Sequence, residues 1–71
     1  MSITPEQTKR LLQGSYTFKT LGFSLFVARL RQKYTKDQSQ ETLQFCTDEI
    51  NTYLSKHKRV MEADAAVIAN I

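Results

Sequence analysis

From Thr20 to Ala28 no side chain is charged, and Leu21, Phe23, Leu25, Phe26 and Val27 fill the interval. As a strand, Leu21, Phe23, Leu25 and Val27 would alternate with Gly22, Ser24 and Phe26, and Phe26 spoils that alternation. As a helix, at about 100° per residue, Tyr16, Phe23, Phe26, Val27, Leu30 and Tyr34 share one stripe. The stripe persists for about five turns, longer than a typical strand. A helix over about 16–34 is therefore predicted. Phe18, Leu21 and Leu25 project from nearly the opposite side. A helix that is apolar on two faces needs more than one neighbour.

The second half of the chain carries a longer pattern. Positions 43, 46, 50, 53, 57, 60, 64, 67 and 71 follow a strict 3–4 alternation, the spacing of a coiled-coil seam. No Gly or Pro follows Gly22. The pattern predicts one helix over about 39–70, roughly 48 Å long. Between the two helices, "YTKDQSQET" is a polar turn with Asp37 and Ser39 as N-cap candidates.

At the front, "ITPEQTKRLL" is a helix start. Thr4 can cap, Pro5 sits where its missing N–H costs nothing, and Gln7 completes a capping box. A first helix over about 5–13 follows, with Gly14 as its end or as a costly interior residue. The expected fold class is all-α. It would be a helical hairpin or three-helix arrangement with a long C-terminal helix, one domain over residues 1–71, assembling into an oligomeric bundle.

Size sharpens the oligomer expectation. A chain of 71 residues buries a marginal core by itself and usually needs a staple. Cys46 is the only cysteine and His57 the only histidine, so neither a disulfide nor a structural metal supplies one. A homodimer or higher oligomer is expected. Its seam would be Ile50, Leu54, His57, Met61, Asp64 and Ile68. In that seam, His57 and Asp64 of antiparallel copies could pair and fix register. With 41% hydrophobic and 24% charged residues, the chain is globular rather than disordered. The apolar stretch is too short to span a bilayer and too late for a secretory leader. A cytoplasmic location is expected.

Charge is uneven along the chain. Residues 1–36 hold seven basic and one acidic side chain, a balance of +6, and residues 37–71 hold six acidic and three basic, a balance of −3. Folding the halves together would satisfy much of this internally.

Candidate chemistry is sparse. No glycine loop, metal-ligand spacing or carboxylate pair appears, so no enzyme activity and no cofactor are expected. Cys46 reads as a buried thiol too far along the helix from His57 to form a dyad. The remaining signal is a surface. Phe18, Leu21 and Leu25 share an azimuth with Arg29, Lys33 and Lys36, and Phe45 lies off the seam of the next helix. A side that is apolar at one end and basic at the other suits docking of another protein. The competing explanation is that Leu11 and Leu12 of the first helix cover its apolar part. The expected function is a small interaction module: an adaptor, regulator or inhibitor. The alternative is a nucleic-acid-binding regulator using these cations with Lys56, Lys58 and Arg59.

Overall fold

The computed structural model describes residues 1–56 and 60–71. They form four helices: α1 (Pro5–Gln13), α2 (Leu21–Lys36), α3 (Gln40–Lys56) and α4 (Glu62–Ala69). There is no strand among the described residues.

The capping box forms as its sequence implies. Gln7 N donates to Thr4 Oγ1 at 3.2 Å, and Thr4 N donates to Gln7 Oε1 at 2.8 Å. Both donors would otherwise be unsatisfied at the helix start. At the other end, Gly14 N donates to Arg10 O at 2.9 Å, and Arg31 Nε, reaching over from α2, donates to Leu12 O at 3.2 Å. Arg31 thereby supplies a charged donor to a carbonyl that the helix leaves open. The chain then doubles back so tightly that a Cβ at position 14 would stand 2.5 Å from the Tyr16 ring. Only glycine allows that approach.

The second helix starts at Leu21, five residues later than the periodicity predicts, and runs to Lys36. Tyr16 and Phe18 lie in the non-helical segment before it, half-buried against the core. The cause is a long-range contact. Lys19 N and Thr20 N both donate to the Asp64 carboxylate, at 2.8 and 2.6 Å. The Thr20 hydroxyl accepts from Met61 N at 2.9 Å. Thr20 is held extended, at φ −73° and ψ 107°, and the helix begins after it.

The same contact corrects the expected long C-terminal helix. Instead of one rod over 39–70 there are two helices, with Val60 and Met61 non-helical between them. Met61 is extended (φ −60°, ψ 150°), which turns its N–H toward Thr20.

In the α2–α3 turn, Ser39 takes the cap. Its hydroxyl accepts from Thr42 N at 3.2 Å. Asp37 braces the turn by accepting from Ser39 N at 3.2 Å and from the Thr42 hydroxyl at 2.6 Å. The Thr42 bond first, then those from Ser39, hold the Asp37 carboxyl below its ordinary value.

Helices α2 and α3 run antiparallel. Phe26 stacks on Tyr53 near one end, with ring centroids 4.9 Å apart, and Cys46 Sγ faces Leu30 O at 4.0 Å further along. α1 lies across both, antiparallel to α3. Ile3 and Asn51 exchange two hydrogen bonds, of 2.7 and 3.0 Å, between the Ile3 backbone and the Asn51 amide. One turn and more along, the Thr47 hydroxyl donates to the Thr8 hydroxyl at 2.8 Å, both fully enclosed. The core gathers Leu11 and Leu12 of α1, Phe23, Val27, Leu30 and Tyr34 of α2, and Leu43, Cys46, Ile50 and Leu54 of α3. Ile3 and Ile68 complete it. The radius of gyration, 11.0 Å, is about what a folded chain of this length has.

Candidate functional site

The two faces of α2 differ sharply although both are apolar in sequence. Phe23, Val27, Leu30 and Tyr34 are buried, whereas Leu21 is 72% and Leu25 60% exposed. Leu11 and Leu12 do not cover them, since both are buried in the core on the other side of the helix.

Leu21, Leu25, Arg29 and Lys33 step by four residues, so they form one continuous ridge on the helix surface. A four-residue step overshoots a full turn by about 40°, and the ridge winds slowly around α2. It winds toward α3. Lys33 Nζ lies 4.9 Å from the centre of the Phe45 ring, an attraction between the cation and the ring face. Phe45 itself is 44% exposed. Arg29, Lys33 and Lys36 are all exposed. The apolar end is extended by Met61, 52% exposed, whose backbone is tied to Thr20 just ahead of Leu21. Met61 was expected in the seam, not here.

Phe18 has a different role from its ridge neighbours. It is half-buried and meets Phe23 edge-on, with ring centroids 4.9 Å apart at 79°. It is a packing residue at the margin of the face.

Of the residues expected to form an oligomer seam, Ile50, Leu54, Asp64 and Ile68 are buried within the single chain. Among the described residues these four present no free stripe. His57 lies outside the described residues, as do Lys58 and Arg59. Asp64 has no need of a histidine. Its carboxylate is 1% exposed and takes both backbone donors at the start of α2. Burial opposes its ionisation most strongly. The Thr20 hydroxyl, the N–H groups of Lys19 and Thr20 and the Lys19 charge together outweigh that, and the carboxyl stays below its ordinary value. Nothing in the local sequence around Asp64 announces this clamp. A possible signal was Thr20, a helix-capping residue type directly before an apolar run.

The expected attraction between the basic and acidic halves does not take the form of contacts. Among the described residues no ion pair forms within 4.0 Å. Three of the seven acidic side chains are engaged otherwise: Asp37 and Asp64 with hydroxyls and backbone, and Asp48 with Gln44 Nε2 at 2.9 Å. The basic ridge of α2 is left without a direct ion pair, although the charge of Lys33 helps, least of several causes, to hold the Asp37 carboxyl down.

Cys46 is fully buried, and desolvation, ahead of its neighbours' charges, pushes its thiol up. Among the described residues no cavity for a small ligand opens and no group of three metal-ligating side chains assembles. No helix there is long and apolar enough to cross a membrane. No family model matches the chain, and no curated protein or solved structure is significantly similar to it.

Proposed function

We propose that this chain is a small, non-enzymatic binding module that docks another protein on the outer ridge of α2. The observation that carries the reading is the exposure of Leu21 and Leu25, one turn apart, on a helix whose opposite side is completely packed. Two large aliphatic side chains in water, rimmed by Arg29, Lys33 and Lys36, have the anatomy of a contact surface: an apolar centre with a charged border. A role as adaptor, regulator or inhibitor needs no more than this.

Nucleic-acid binding is the competing reading, because the same cations are in no direct ion pair among the described residues. It gives Leu21, Leu25 and Met61 no task, and phosphate contacts reward cations alone.

A photo-reactive amino acid at position 25 tests the proposal, with the same group at exposed Gln44 as control. Protein adducts formed in the source cells at 25, absent at 44 and insensitive to moderate salt, are the expected result. Adducts that contain only nucleic acid, or equal labelling at both positions, would overturn it.

A further inference from the structure

Resting on that reading of the α2 ridge, we infer that its occupant is an acidic amphipathic helix of another protein. That helix carries two apolar side chains over Leu21 and Leu25, and carboxylates over Arg29 and Lys33.

Shape comes first. The ridge is convex and continuous, and no cavity accompanies it among the described residues. A convex ridge of side chains four residues apart fits the groove between two such ridges on a second helix. From Leu21 to Lys33 it extends about 18 Å, so an occupant of about four turns covers it.

Charge then chooses among helices. α2 holds Arg29, Arg31, Lys33 and Lys36 and not one acidic residue. The same ridge of a second copy would set cations against cations if the two helices were parallel and leucines against cations if they were antiparallel, and both juxtapositions disfavour binding. Arg29 and Lys33 are in no ion pair within 4.0 Å among the described residues, and the charge of Lys33 acts on Asp37 only as the weakest influence on that carboxyl, so a partner's glutamates need not displace a direct ion pair. Lys33 is already positioned over the Phe45 ring, and a carboxylate meeting it there meets a side chain whose freedom is partly reduced.

Order completes the description. The apolar end lies beside Met61 and the start of α2, and the basic end beside Phe45. The partner must therefore present its apolar pair and its acidic set in separate, consecutive stretches of one face. Apolar and acidic residues mixed along the helix would leave leucine against cation.

The probe is a stapled helical peptide of about sixteen residues, with two leucines one turn apart and three glutamates on the same face over the following two turns. It is made in both chain directions. Controls replace the glutamates by lysine or the leucines by serine. Binding is followed by fluorescence anisotropy and by backbone amide shifts of the full chain. One of the two directions should bind, with shifts centred on 21–33. Leu25→Ser and Lys33→Glu should each weaken it about tenfold. The lysine peptide should bind the Arg29→Glu/Lys33→Glu chain better than the native one. Circular dichroism confirms that each variant is folded.

Equal binding of the glutamate and lysine peptides, or none by either direction, overturns the inference. So does light scattering that finds a dimer dissolved by Leu25→Glu, which makes a second copy the occupant. In these cases adducts specific to position 25 would leave the docking face standing. Loss of those adducts as well would remove the face itself.

Discussion

α3 and α4 continue a single 3–4 alternation in the sequence, yet they are secured by different means. α3 is seventeen residues long and presses Leu43, Cys46, Ile50 and Leu54 against two helices at once. α4 has eight residues, fewer than a helix needs to persist in water alone. Among the described residues it runs close alongside no other helix. It is fastened by Ile68 in the core and by the Asp64 carboxylate on Lys19 and Thr20. The contrast teaches that apolar spacing reports which side of a segment is buried and not whether the segment is continuous. Continuity is decided by where backbone donors find acceptors. Here a donor at Met61 finds Thr20, 41 residues away in sequence.

Substitutions in the two regions should then differ in kind. The largest loss is expected from Ile50→Ala, about 3 kcal/mol. A chain of this size has only roughly 4–10 kcal/mol in total, so a denaturant melt should shift as one transition with all helices lost together. Asp64→Ala should act more locally. The helical signal of α4 should disappear and the amides of Lys19 and Thr20 should exchange freely, while the α1–α3 core remains folded. Global unfolding in this variant would break the comparison, by making α4 part of the same cooperative unit.

Acid titration sharpens the same point. Asp64 is held below its ordinary value of 3.8 by hydrogen bonds to its ionised form. It therefore favours the folded state at pH above that value, and the contribution is lost as pH falls through the depressed folded value. Asp37 is shifted in the same direction by Thr42 and Ser39, so acid should loosen both the clamp and the α2–α3 turn. Asp64→Asn should flatten the α4 part of the profile, read by amide exchange, and leave the turn part intact.

Thr4→Ala removes one cap from α1 and should cost about 1 kcal/mol, measured as a shift in the denaturant midpoint. Leu25→Ser should change stability by less than about 0.5 kcal/mol. A larger loss there would mean that the outer ridge supports the fold rather than a partner.

Most local chemistry was legible in the sequence, although the choice of Ser39 over Asp37 as cap and of Gly14 as the end of α1 was left open. The Thr4–Gln7 box, Pro5 at the first turn and Ser39 before α3 each act within four residues, and each forms as its residue types imply. The buried stripes of α2 and α3 were legible as well, since Phe23, Val27, Leu30 and Tyr34, like Leu43, Cys46 and Ile50, follow helical spacing. Two features were not. The late start of α2 and the interruption before α4 both depend on Asp64 and Thr20 meeting across 44 residues, and periodicity has no access to such a pairing. The ridge was readable as an azimuth shared by Leu21, Leu25, Arg29 and Lys33. Its exposure was not, because Leu11 and Leu12 could have covered it and instead entered the core.

The Thr8–Thr47 contact has a consequence for alignment. Helices joined by aliphatic side chains alone can slide by a turn at modest loss. α1 resists this, because one turn of slippage would part the Thr8 and Thr47 hydroxyls, leaving each only the carbonyl of its own helix, Thr4 O at 3.0 Å and Leu43 O at 2.8 Å, and would take from the Ile3 backbone both of its bonds to Asn51. Together the two contacts work as a notch that favours one register of α1 on α3.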